Sequence, residues 1–64
     1  MSLQFTVPNM ACSACSETIT TAIKAIDPSA QVTADPKTKK VSVETQASET
    51  SIKTAVTEAG YTVA

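Results

Sequence analysis

The sequence predicts an α+β fold in which two helices cover one face of a four-stranded antiparallel sheet. Four short segments alternate apolar and polar residues, as half-buried strands do. Two further segments carry apolar residues at helical spacing, and turn-forming residues separate the six segments. The resulting order βαββαβ is that of a ferredoxin-like sandwich, which buries each apolar face. We expect residues 1–64 to form a single domain, because no linker or low-complexity segment interrupts them.

The first strand and the first helix differ in their apolar period. Apolar residues alternate with polar ones over 3–7, and Pro8 should end this strand because proline cannot donate to a ladder. Apolar residues then recur at i, i+4 and i+7, which predicts a helix with Ser13 as its N-cap and Asp27 beyond its end. The apolar face of this helix comprises Cys15, Ile19, Ala22, Ile23 and Ile26.

The middle of the chain predicts a β-hairpin. Valine and alanine alternate with polar residues around 32–34, and valines do so at 41–43, on either side of a turn that contains Pro36. Three lysines lie near this turn, and we expect them to be solvated, because charge near strand ends protects a sheet from aggregation. They are Lys37, Lys39 and Lys40.

A second helix and a fourth strand complete the predicted fold. Ser48 is the expected N-cap of the helix, and Gly60 stands where a C′ glycine should be. Tyr61 and Val63 alternate with a polar residue and predict a short last strand. The apolar face of the second helix comprises Ile52, Ala55, Val56 and Ala59.

Composition excludes two classes of partner. Five basic and six acidic side chains give a net charge of −1, and the chain has no arginine, so we expect no nucleic-acid binding. No stretch reaches the roughly 20 apolar residues that span a bilayer, so we expect no membrane insertion.

The first residues lack the pattern of a signal peptide, which favours a cytoplasmic location. In that compartment a cysteine pair more often binds metal or reacts than forms a structural disulfide.

The cysteine pair is the candidate site. Cys12 falls in the loop before the first helix, and Cys15 falls on its apolar face, so Cys15 should be more sheltered. Two thiolates in a chain without histidine cannot complete a four-ligand zinc or iron–sulfur site, whereas soft Cu(I) accepts low coordination. A thiol–disulfide redox site and a pair of buried apolar cysteines are the alternatives.

Two other residues could take part in this site. Met10 should fill the core beneath the cysteine loop, and the alternative is that its thioether is a third ligand. Tyr61 either caps the core or approaches the metal with its hydroxyl. In a ferredoxin-like fold its loop lies at the same end as the cysteine loop.

The segment Asn9-Met10-Ala11-Cys12-Ser13-Ala14-Cys15 resembles the MxCxxC signature of the heavy-metal-associated domain family. This family includes small bacterial copper chaperones and the N-terminal domains of copper-transporting P-type ATPases. The resemblance extends to the length, the element order and the late Gly60-Tyr61 pair. It implies that Cys12 and Cys15 bind Cu(I), that Met10 supports them from the core, and that Tyr61 lies beside them.

Three positions distinguish this chain within the family it resembles. Asn9 stands where many members have glycine, so we expect the loop here to differ locally. Ala11 stands where members that handle zinc or cadmium often have aspartate, and the loss of this hard oxygen ligand favours copper. Tyr61 takes the place of the lysine that lies near the metal in eukaryotic chaperones.

The resemblance implies a cytoplasmic copper metallochaperone without enzymatic activity. Its expected partners are the metal-binding domains of copper-transporting P-type ATPases, to which it would pass Cu(I) by ligand exchange. Two copies could also share copper in a bridged homodimer. The alternatives are a metal sensor, a metal-binding domain of a copper ATPase, and a thiol–disulfide redox protein.

Overall fold

Five elements of regular structure follow one another along residues 2–64, the part of the chain that the computed structural model describes. Their order agrees with the predicted order through the second helix. Neither helix of these residues is long and apolar enough to cross a bilayer. The elements are β1 (Ser2–Thr6), α1 (Ser13–Ile26), β2 (Gln31–Asp35), β3 (Lys40–Glu44) and α2 (Glu49–Glu58).

The three strands form an antiparallel sheet in the order β1-β3-β2. Phe5 of β1 and Ala34 of β2 both pair with Val41 at the centre of β3. Because side chains alternate along a strand, this register places the apolar residues of all three strands on one face. Both helices contribute buried residues to the core that covers this face. The buried cluster comprises Phe5, Val7, Met10, Ile19, Ile23, Ala30, Val41, Val43, Ile52 and Val56.

The predicted fourth strand does not form within residues 2–64, where the sheet has three strands. A ladder needs repeated backbone bonds between neighbouring strands. The Tyr61 N–H instead donates to the Val56 carbonyl, and the Thr62 N–H donates to the Asn9 side chain. The segment contacts β1 through a bond of 2.8 Å from the Ala64 N–H to the Thr6 carbonyl. The prediction of four strands is therefore wrong for the described chain, although half-buried Val63 still packs on the core.

The observed ends of α2 agree with the prediction from the sequence, whereas those of α1 differ from it. Ser48 caps α2 by accepting a hydrogen bond of 3.2 Å from the Ser51 N–H, as predicted. The N-cap of α1 is Cys12 rather than Ser13, and no side-chain bond caps this end. At the other end of α1, Ile26 is 48% exposed, so the apolar face of this helix stops at Ile23 rather than at Ile26.

Asp27 closes the C-terminal end of α1 with a network of hydrogen bonds. One carboxylate oxygen accepts bonds from the Ser29 N–H and hydroxyl, at 3.1 and 2.8 Å. The other accepts bonds from the Thr45 hydroxyl at 2.7 Å and the Gln46 N–H at 3.3 Å. These bonds, from Thr45 and then Ser29 above all, lower the pKa of Asp27 to about 2. The network ties α1 to the connection between β3 and α2.

Candidate metal centre

A tight loop between β1 and α1 presents the cysteines at one end of the molecule. The Met10 N–H donates to the Val7 carbonyl at 3.1 Å, which turns the chain just before the cysteines. The side chains of both residues are fully buried in the core. Met10 therefore lies beneath the loop, as predicted, and its thioether contributes to packing.

The two cysteine sulfurs lie close together and differ in exposure. Cys12 has extended backbone geometry at the N-cap of α1, and Cys15 lies one turn further along. Their Sγ atoms are 3.4 Å apart, and both thiols are reduced. Cys12 is exposed and Cys15 is half-buried, which confirms the predicted asymmetry. Two sulfurs at this separation can contact a single ion.

Hydrogen bonds favour the thiolate form of Cys15. The largest contribution comes from the side chain of Tyr61, followed by the backbone N–H of Ala11 and the side chain of Cys12. Together they lower the pKa of Cys15 from 9.0 to about 7, although partial burial acts in the opposite direction. The thiolate, which is the form that binds metals, is therefore favoured at Cys15 relative to an ordinary cysteine.

The end of α2 positions Tyr61 against Cys15. The N–H groups of Gly60 and Tyr61 donate to the carbonyls of Thr57 and Val56, at 3.0 and 3.2 Å. This is a Schellman motif, and it needs the positive φ of 99° that Gly60 adopts. The Tyr61 hydroxyl bonds to Cys15, which raises the pKa of Tyr61 because the bond needs the phenolic proton. Tyr61 also packs against the core, which confirms one of the two roles considered from the sequence; the approach of its hydroxyl to a bound metal stays a prediction.

Asn9 joins the cysteine loop to the C-terminal segment. Its Oδ1 accepts a bond of 3.0 Å from the Thr62 N–H, next to Tyr61 in the chain. The sequence marked Asn9 as a departure from glycine and did not indicate this contact. No local signal could, because the partner lies 53 positions away.

Lys39 corrects the expectation that all three hairpin lysines are solvated. Lys37 and Lys40 are exposed, but Lys39 is half-buried. Its ammonium donates a bond of 2.7 Å to the carbonyl of Met10 in the cysteine loop. The turn between β2 and β3 therefore reaches the candidate metal centre, and charge near a strand end was a misleading signal here.

The donor set of the site is two sulfurs. Among residues 2–64, no group of three or more histidine, cysteine, aspartate or glutamate side chains is close enough to hold an ion. Zinc in structural sites takes four ligands, and calcium and magnesium take six or more oxygens. A soft ion of low coordination number fits the two thiolates better.

Solved structures resemble the chain over nearly its full length. A trimeric copper form of a variant of the copper chaperone Atx1 from Synechocystis PCC6803 has 40% identity and a TM-score of 0.94, covering 97% of this chain and 98% of that chain. A gold binding protein has 37% identity and a TM-score of 0.90, covering 94% and 92%. The CopZ metallochaperone, at 22% identity and a TM-score of 0.91 over both whole chains, supports the fold alone.

The comparison with curated protein sequences found no significant match. The profile of the heavy-metal-associated domain matches residues 4–62, which include the whole cysteine loop, both helices and the hairpin. The chain therefore belongs to the heavy-metal-associated domain family.

Proposed function

We propose that this protein is a cytoplasmic copper metallochaperone that binds Cu(I) between Cys12 and Cys15. The observation that carries the proposal is the pair of sulfurs 3.4 Å apart at an exposed end of the fold. The similarity to a copper chaperone at 40% identity supports the same metal and the same role. As in a metallochaperone, the protein carries its cargo and catalyses no covalent reaction.

The donor set favours Cu(I) over Zn(II). Ala11 supplies no oxygen ligand, and the described residues offer no third side chain to complete a zinc site. Met10 is fully buried, which leaves the site with two thiolates. The similar gold binding protein also binds a soft metal, which is the kind of metal that thiolate ligands favour.

Transfer proceeds by exchange of thiolate ligands. The expected acceptors are the metal-binding domains of copper-transporting P-type ATPases. An incoming thiolate reaches the copper ion from the side of exposed Cys12, and the ion becomes three-coordinate. Cys12 leaves first, because Cys15 is anchored in the first turn of α1 and bonded to Tyr61. The second partner thiolate then displaces Cys15.

A thiol–disulfide redox protein is the second candidate function. Two sulfurs in contact and a Cys15 pKa of about 7 would also suit a reactive dithiol. The two functions differ in a measurable way, since a redox protein need not bind copper tightly. Cu(I) affinity and the reduction potential of the cysteine pair should therefore be measured on the same preparation.

The decisive experiment titrates the reduced protein with Cu(I) against a strong Cu(I) chelator, while native mass spectrometry follows stoichiometry and oligomeric state. We expect one copper ion per protomer, or one shared by two copies in a bridged homodimer. The variant with both Cys12→Ser and Cys15→Ser is the matched control and should not compete with the chelator. Similar affinities for Cu(I) and Zn(II) at neutral pH would contradict the copper assignment.

A further inference from the structure

Lys39 makes three contacts that join the hairpin to the cysteine loop. Its N–H donates to the Asp35 carbonyl at 2.8 Å, which closes the turn between β2 and β3. Its carbonyl accepts a bond of 2.7 Å from the Val7 N–H, at the start of the loop. Its ammonium donates to the Met10 carbonyl, also at 2.7 Å. One residue therefore holds both ends of the turn that precedes the cysteines.

The backbone of Lys39 is in a conformation that lysine adopts rarely. Its φ of 65° is the one positive value of a non-glycine residue in 2–64. This left-handed geometry is unfavourable for most L-residues, and glycine or asparagine would adopt it more easily. A lysine at this position therefore suggests that its side chain contributes something that glycine could not.

The Met10 carbonyl belongs to the same peptide unit as the Ala11 N–H. The peptide bond is planar, and all peptide bonds of the described chain are trans, so the two groups point in opposite directions. The carbonyl accepts a bond of 2.7 Å from Lys39, and hydrogen bonding from the Ala11 backbone is one of the causes that lower the pKa of Cys15. A bond that fixes the orientation of the Met10 carbonyl therefore also fixes the orientation of the Ala11 N–H.

We propose that Lys39 is a positioning residue of the metal centre, whose ammonium holds the Met10 carbonyl so that the Ala11 N–H points at the Cys15 sulfur. A bond from a charged donor in a half-buried place is stronger than one between neutral groups. The hairpin turn therefore contributes to the loop that carries the metal ligands. The consequence for copper rests on the proposed function, and the effect on the loop does not.

The test uses Lys39→Met, which keeps most of the apolar stem and the backbone preference and removes the donor. Lys39→Arg keeps a charged donor and should restore the contact. Lys37→Met removes the same charge from an exposed position of the same turn and controls for net charge. Lys39→Gly relieves the backbone and also lacks the donor, which separates the side chain from the turn geometry.

The first readout is the ¹H–¹⁵N signal of the Ala11 amide in the reduced, metal-free protein. We expect its chemical shift to move and its hydrogen exchange to accelerate by about threefold to tenfold in Lys39→Met and Lys39→Gly. Lys37→Met should resemble the unmodified protein, and Lys39→Arg should lie close to it. An unmoved Ala11 signal in folded Lys39→Met would overturn the proposal, whether or not the protein binds copper.

The second readout is Cu(I) affinity by chelator competition. Lys39→Met and Lys39→Gly should each bind about threefold to tenfold more weakly, whereas Lys37→Met should not. A loss in Lys39→Met that Lys39→Gly does not share would assign the effect to the turn backbone and overturn the proposal. If the unmodified protein itself fails to compete for copper, the proposed function fails, and the amide signals still decide the role of Lys39.

Discussion

The two ends of α1 use hydrogen bonds to an anion for opposite purposes. At the C-terminal end, both oxygens of Asp27 accept bonds from the fold, and its main partner Thr45 is only 5% exposed. At the N-terminal end, bonds from Tyr61 and from the backbone favour the thiolate of Cys15, next to the exposed sulfur of Cys12. The pKa falls to about 2 at Asp27 and to about 7 at Cys15.

The difference lies in what remains accessible after the bonds are made. Both oxygens of the Asp27 carboxylate accept hydrogen bonds, and these bonds join two connections of the chain. The Cys15 thiolate is stabilised by hydrogen bonds from its neighbours, but its sulfur remains accessible beside the sulfur of Cys12. Stability and metal binding should therefore respond to changes at opposite ends of the same helix, and the following predictions test this separation.

The largest effect should come from the cysteines. Cys12→Ser and Cys15→Ser each remove one of two soft ligands and should strongly weaken Cu(I) binding, with little change in unfolding by urea. At equal copper loading, Cys12→Ser should slow transfer to a partner domain more, because Cys12 is the exposed sulfur that leaves first. Ser13→Ala, between them, is the control. Equal slowing, or a greater effect of Cys15→Ser, would show that the order of release is wrong.

Asp27→Asn should destabilise the protein without affecting copper. The folded pKa of about 2 lies below the ordinary value of 3.8, so ionised Asp27 stabilises the fold above about pH 4. This contribution is lost as the pH falls toward 2. Urea unfolding should therefore show a lower midpoint for Asp27→Asn than for the unmodified protein at pH 7. The difference between the two midpoints should narrow in acid. Glu58→Gln, at an exposed position, is the control. A gap that is constant with pH would disprove the role of the charge.

Met10→Leu should separate the core from the ligands. The substitution nearly conserves volume at a fully buried position, and it should lower the free energy of unfolding by less than about 1.5 kcal/mol. Cu(I) affinity should stay nearly unchanged, because the thioether packs in the core. Chelator competition on the folded variant measures this. A large loss of affinity would instead identify Met10 as a ligand.

Tyr61→Phe should have the smallest effect, confined to the chemistry of Cys15. The ring keeps its packing, but the largest cause of the lowered pKa is removed. The pKa of Cys15 should rise from about 7 toward 9.0, so less thiolate is present at neutral pH. The rate of alkylation by iodoacetamide as a function of pH measures this shift. An unchanged profile would mean that Cys12 and the backbone donors stabilise the thiolate without Tyr61.

The sequence by itself determined the elements that depend on neighbouring residues. Periods of two and of 3.6 residues located β1, α1, the hairpin and α2, and Ser48 and Gly60 marked the ends of α2 correctly. The spacing of Cys12 and Cys15 was enough to predict their proximity and unequal exposure, because both follow from the start of a helix. The apolar character of Met10 placed it in the core.

Only the tertiary structure decided the contacts between distant parts of the chain. The pattern at Tyr61 and Val63 is that of a strand, but Asn9 takes up the amide of Thr62 and no fourth strand forms within 2–64. Lys39 is 29 positions from Met10, and its sequence context is that of an ordinary solvated turn. Such bonds depend on how loops meet once the core has packed, and no periodicity of the sequence encodes them. At the candidate metal centre, local spacing therefore predicted the two sulfurs, whereas the long-range contacts of Tyr61 with Cys15 and of Lys39 with the Met10 carbonyl appear only in the tertiary structure.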